Sequence, residues 1–129
     1  MSIITIRPKT PTGADVNAER DRRVKAGASF NVTNHPVPIH VVGDETTQTN
    51  LLALATAASA RVAQGDASTL TPYRDETNQI HQLTPPQIFE LWSLGAAYLS
   101  AVYQASWALK DASGGVPADF ASDMHWPSA

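Results

Sequence analysis

Residues 73–110 read YRDETNQIHQLTPPQIFELWSLGAAYLSAVYQASWALK, and the fold follows from that stretch. Its first part, YRDETNQIHQL, reads as a polar hairpin. TPPQ is a helix start, with Thr84 as N-cap, Pro85 at the first helical position and Gln87 three residues after the cap, the spacing of a capping box. From Leu91 to Leu109 there is no charge. A helix from Pro85 to Lys110 at about 1.5 Å per residue is nearly 40 Å long, more than a small two-hairpin sheet can cover. Ile88, Leu91, Gly95, Tyr98 or Leu99, Val102 and Leu109 trace one apolar stripe on it, and Phe89, Trp92, Ala96, Tyr103 and Trp107 trace a second beside the first. One stripe can pack on the sheet. The other must be covered by the rest of a small domain or by another chain.

Working outward, Asp44 reads as the N-cap of a helix over ETTQTNLLALATAASARVAQG, whose Leu51, Leu54, Ala55, Ala58 and Val62 share one face and which Gly65 ends. Before it, SFNVT and VPIHVV form a hairpin joined by Asn34, His35 and Pro36, with Pro38 marking an edge strand. The second hairpin pairs LTPYRD with NQIHQL through a turn containing Glu76 and Thr77. A first helix, NAERDRRVKAG, is capped by Asp15 and ended by Gly27, and its thin stripe of Val16, Arg20 and Val24 packs lightly unless arginine stems contribute. Residues 1–14 form an arm in which Ile3, Ile4 and Ile6 look strand-like before Pro8 and Pro11. Beyond Asp111 the chain becomes ASGGVPADFASDMHWPSA, a Pro/Gly-rich tail over 112–129 that still carries Phe120, Met124 and Trp126, large apolar groups that imply docking onto its own domain or onto a partner. The expected fold is α+β: three helices, two β-hairpins forming a small antiparallel sheet, a long apolar last helix and extended arms at both ends. The expected organisation is one domain, 15–111, between the two arms.

The chain has 129 residues, enough for one core burying roughly two-thirds of the surface the unfolded chain exposes. Charged residues make up 16%, well under the usual quarter, which favours contact with other protein. A net charge of −3 argues against a nucleic-acid-binding face, because such faces need clustered excess Lys and Arg. Arg20, Arg22, Arg23 and Lys25 do cluster, but Glu19 and Asp21 interleave them, and a solvated helix face is expected. The absence of cysteine excludes disulfides and thiolate metal sites. MSIITIRPKTP has too few apolar residues for a signal-peptide core. Three serines, a glutamine and a glycine interrupt the uncharged run, and no basic cluster flanks it, so a buried helix is expected rather than a membrane span.

No constellation for chemistry emerges. His35, His40, His81 and His125 lie in the two hairpins and the tail, without the i,i+4 pairing of a helical metal site. His35 and His40 could share a metal only if the first hairpin turned both inward. Asp75 and Glu76 sit in a turn, where acidic residues bond locally. There is no phosphate-cradling glycine loop, no G-x-S-x-G elbow and no dinucleotide fingerprint. No catalytic, cofactor-binding or metal-binding residue is therefore assigned, and an enzyme is not expected.

The order N-A-E-R-D-R-R-V-K-A-G at 17–27, Asp44 before a helix with Asn50, R-D-E-T-N at 74–78, S-W-A-L-K-D at 106–111 and V-P-A-D-F-A-S-D-M-H-W-P at 116–127 resembles an uncharacterised family of tailed-phage and prophage proteins encoded near tail-fibre and tail-assembly genes. The resemblance covers residues 15–127 and implies a virion structural protein of the tail, tail fibre or baseplate. It would be made in the host cytoplasm and act by assembly with other tail proteins. A tail-fibre assembly chaperone, absent from the mature particle, and a small metal-binding or hydrolytic module are the alternatives. Self-association is expected from the excess apolar face, with Ile4, Ile6, Trp92, Tyr103, Trp107, Phe120 and Trp126 as interface residues, because binding energy concentrates in large aromatic groups. On that reading Trp126→Ala weakens assembly and leaves the fold intact.

Overall fold

The computed structural model describes residues 10–128. Helix α1 (Gly13–Ala26) leads into strands β1 (Ala28–Phe30) and β2 (Ile39–Val41), then helix α2 (Glu45–Ala63), strands β3 (Thr71–Arg74) and β4 (Ile80–Leu83), helix α3 (Pro85–Lys110) and a single 3₁₀ turn at Asp123–His125. The α+β class, the three helices and the two hairpins are those expected from the sequence. Each hairpin forms its own two-stranded antiparallel sheet, β1 with β2 and β3 with β4, with no backbone ladder joining them.

Helix α3 is the spine, and both α1 and α2 pack along it. Its start follows the sequence: the Gln87 N–H donates to Thr84 Oγ1 at 3.3 Å and the Thr84 N–H donates to Gln87 Oε1 at 2.9 Å. Asp44 likewise caps α2, accepting the Thr47 N–H at 2.7 Å. Helix α1 differs. It starts at Gly13 after Thr12, and Asp15 serves as its third residue, where the carboxylate accepts the Thr12 N–H at 2.8 Å. An acidic side chain reaching back in this way satisfies a free donor of the first turn as well as an N-cap would.

The β1–β2 ladder is shorter than the alternation of SFNVT and VPIHVV suggests, pairing only Ala28 with Val41, Ser29 with His40 and Phe30 with Ile39. Pro36 and Pro38 carry no N–H, so pairing stops at Ile39 and residues 31–38 form a connection with Asn34 at φ +62°. Gly27 enters β1 at φ +68°, and a Cβ there would lie 2.0 Å from the Val41 carbonyl oxygen.

Two apolar clusters hold the chain together. The larger joins both hairpins to α2 and the first half of α3, through Phe30, Ile39, Leu51, Leu83, Ile88 and Leu91. The smaller joins α1, the second half of α3 and the tail, through Val16, Val102, Leu109 and Trp126. Ile88, Leu91, Val102 and Leu109 of the first α3 stripe are therefore core. The tail folds back over α1: Arg23 Nη2 donates to the Ala121 carbonyl at 2.9 Å and to Asp123 Oδ1 at 2.8 Å. The arginine cluster is only partly the solvated face expected. The Arg20 and Arg23 side chains are 18% and 11% exposed, because their guanidinium groups lie on the rings of Tyr103 and Trp126, at 4.8 and 5.1 Å. Arg22 alone of the three faces water, with a side chain 62% exposed.

Candidate functional site

The second α3 stripe lines a groove with about 560 Å³ of open volume. Trp92, Ala96, Leu99, Tyr103 and Trp107 form one wall, Gln48, Leu51 and Leu52 of α2 the other, and Val24 with Val42 and Gly43 closes the end near α1. The 3.6-residue period puts positions 92, 96, 99, 103 and 107 on one line, so this wall is a direct product of the sequence pattern. Gly43 is required at the closed end: its N–H donates to the Val24 carbonyl at 2.8 Å, and a Cβ would sit 2.9 Å from Val24 Cγ1. Phe30 meets Tyr98 edge to face, with ring centroids 5.9 Å apart, beneath the groove.

Two features distinguish this groove from the closed core. Trp107 is 53% exposed and Leu52 is 52% exposed across the groove from it, so large apolar groups on both walls face water. Tyr103 is held in place. Arg20 covers its ring, and Asn17 Oδ1 accepts from both Arg20 (3.1 Å) and Lys110 (2.9 Å) to fix that layer. A pre-ordered aromatic loses little freedom on binding. Phe89 stacks obliquely on Trp92 at 5.6 Å and, 44% exposed, extends the apolar surface beyond the groove. Glu45, Gln48, Thr49 and Ser100 supply its polar lining, with no nucleophile set against a base.

Of the residues expected at an interface, Trp92, Tyr103 and Trp107 come together on this wall. Ile4 and Ile6 lie outside the described residues. Phe120 and Trp126 lie away from this wall in the smaller core cluster, Trp126 buried and Phe120 partly buried. Trp126 is 6% exposed in the smaller core cluster, its Nε1–H donates to the Phe120 carbonyl at 2.7 Å, and Phe120 packs beside it. This corrects the reading of Trp126 as an anchor for another chain: Gly114 and Gly115, both at positive φ, turn the tail back onto its own helices. The α2 wall, Leu52 above all, was not singled out by sequence. Its signal is an apolar side chain one position off the buried Leu51 face.

A second cluster is polar and was missed. His35 Nε2 lies 2.8 Å from His81 Nδ1, and His81 Nε2 lies 2.7 Å from Asp75 Oδ2. Asp75 Oδ1 accepts from the Thr77 N–H and hydroxyl and from the Gln79 N–H, so the acidic turn residue is also buried, at 5% exposure. Burial works to raise the Asp75 carboxyl. The hydrogen bonds from Thr77 and His81 and from the Gln79 and Thr77 backbone outweigh it and hold the group far below the usual carboxylate range. Desolvation, then the neighbouring His81 ring, lowers His35 from its ordinary value. Burial, with Glu76, Asp75 and Asp44 nearby, pushes the Tyr73 hydroxyl up to about 12.

His35 thus pairs with His81 and not with His40, whose ring bonds Ser29 Oγ and the Ala26 carbonyl. Two imidazole nitrogens on one tetrahedral zinc stand about 3.3 Å apart, given zinc–nitrogen bonds near 2.0–2.1 Å, so the 2.8 Å contact is a hydrogen bond and not an empty ligand pair. Among the described residues no group of three or more His, Asp or Glu is placed to hold a metal ion. No helix among them is long and apolar enough to cross a membrane.

Fold and groove together define a small α+β protein built on one long helix, with an open aromatic wall along it. The chain belongs to the family described as Domain of unknown function (DUF4376), whose model matches residues 8–123. No curated protein and no solved structure matches it.

Proposed function

We propose that this protein is a structural component of a phage virion, associated with the tail, tail fibre or baseplate, and that it acts by assembly with other tail proteins and with further copies of itself. The groove carries the reading: Trp92, Tyr103 and Trp107 share one wall with an exposed leucine opposite. Central aromatics in a pre-ordered pocket are the kind of residue on which protein–protein binding energy concentrates. The low charge of the chain and the resemblance of its ordered motifs to phage and prophage proteins agree with it. The protein is made in the host cytoplasm and resides in the particle.

Quantitative mass spectrometry of purified particles tests the assignment. A fixed copy number relative to the major tail proteins, lost on Trp107→Ser with the melting temperature unchanged, is the expected result. Absence from particles, with abundant protein in the producing cells, replaces the structural role with that of an assembly chaperone.

A further inference from the structure

The chain Asp75–His81–His35 links parts of the molecule that no backbone ladder connects. Asp75 and His81 belong to the second hairpin, whereas His35 belongs to the 31–38 connection of the first. The His35–His81 contact is one of two polar ties on that connection, whose Val32 also packs in the larger core cluster. The other comes from α3: Glu90 accepts from the Thr33 N–H at 3.1 Å and the Thr33 hydroxyl at 2.9 Å, and Gln87 Nε2 donates to the Thr33 carbonyl at 3.1 Å.

The geometry fixes how many protons the histidine tie tolerates. Asp75 is ionised and accepts, so His81 Nε2 carries a proton and, in the neutral ring, Nδ1 carries a lone pair. His35 Nε2–H donates to that lone pair, leaving His35 Nδ1 free. A first added proton on His35 Nδ1 keeps every hydrogen bond in the chain. A second must go to His81 Nδ1, where it would face the His35 Nε2–H across 2.8 Å, donor against donor and cation against cation. His81, 2% exposed and bonded to a carboxylate, is held in place, so the ring that leaves is the half-buried His35.

We propose that Asp75–His81–His35 is an acid-operated latch: it holds the 31–38 connection against the second hairpin until both rings are protonated, and then releases it with both β-ladders intact. The other titratable groups around it are few. Tyr73 stands across the ladder from His81, Glu76 lies in the same turn as Asp75, Asp44 at the start of α2 acts on Tyr73, and Glu90 of α3 holds Thr33. Of these, Glu90 alone bonds the connection directly, so Glu90→Gln is the control for that tie. His40 is engaged with Ser29 and Ala26.

The test is amide hydrogen exchange of the full chain, corrected for intrinsic rate, between pH 7.5 and 4.5, alongside nitrogen-15 NMR of the histidine rings. The expected result is a rise of tenfold or more in exchange at His35, coincident with the second ring proton, while the Ala28–Val41 and Phe30–Ile39 pairs of the ladder stay protected. His35→Gln, which can still donate to His81 but cannot become a cation, should abolish the acid step. Glu90→Gln should retain it. Protection at 31–38 that survives with both rings charged overturns the proposal, as does an acid step that persists in His35→Gln or disappears in Glu90→Gln. The wild-type measurement decides the matter even if His35→Gln does not fold.

Discussion

Trp126→Ala is the substitution that most directly tests the assignment of the tail to the core. Trp126 is 6% exposed against Val16, Val102 and Leu109, donates its indole N–H to the Phe120 carbonyl at 2.7 Å and carries Arg23 on its face at 5.1 Å. Truncating a buried tryptophan costs about 3–5 kcal/mol. The indole hydrogen bond and the cation–π contact are taken as part of that range, since such contributions do not add independently. At roughly 2.1 cal/mol/K of unfolding entropy per residue, 129 residues give about 0.27 kcal/mol/K, so the melting temperature should fall by about 11–18 °C. Trp107→Ala is the internal comparison. That ring is 53% exposed on the groove wall, and its loss should cost under about 1 kcal/mol, or less than about 4 °C. Thermal unfolding followed by far-ultraviolet circular dichroism reads both. A Trp126→Ala protein melting within about 4 °C of the parent would show that the tail contributes nothing to the fold, and a Trp107→Ala protein that falls as far as Trp126→Ala would show that the groove wall is core.

Gly27→Ala should destabilise by more than about 2 kcal/mol in urea unfolding, because the position needs φ +68° and the new Cβ would overlap the Val41 carbonyl oxygen; an unchanged midpoint would contradict that placement. Thr84→Ala removes the hydroxyl that accepts the Gln87 N–H and should cost about 1 kcal/mol by the same assay, with Thr84→Ser nearly neutral. Stability should also fall with acid in two stages. His35 is held below its ordinary value in the folded chain, so the unfolded chain binds more protons as the pH drops below about 6.5, and stability complete above that pH is lost as His35 charges. Asp75 is likewise held low, and its contribution, complete above about pH 4, disappears on further acidification. A urea midpoint constant from pH 7 to pH 3 would contradict both.

Legibility in the sequence followed the range of the interactions involved. Thr84, Pro85 and Gln87 act within one helical turn, and Asp44 acts on the residue three ahead, so both helix starts could be read directly. The two α3 stripes were legible because helical periodicity depends on no other element. Asp15 was misplaced by one function, cap for third residue, since an acidic side chain near a helix start suits either role. The failures were long-range. Nothing local in His35 or His81 tells that residues 46 positions apart share a hydrogen bond, and Asp75 had a sufficient local role in its turn. Trp126 gave an apolar signal with no address. Arg23, about a hundred positions away, the distant apolar side chains of Val16, Val102 and Leu109, and the turn at Gly114 and Gly115 direct it inward.

That inward tail bears on where any assembly energy can come from. Trp92, Trp107 and Trp126 are equivalent in composition, yet the fold spends Trp126 on closing the smaller core and leaves Trp107 open with Trp92 on the groove wall. Variants of the tail should therefore weaken assembly only in proportion to the fraction of chains they unfold, and cooling or a stabilising solute should restore it. Variants of the groove wall should weaken assembly at every temperature at which the chain is folded. On the proposed function, stability and assembly are then separable along α3: the Leu91, Val102 and Leu109 side carries the first, the Tyr103 and Trp107 side carries the second, and Trp92, which also packs on the larger core cluster, contributes to both.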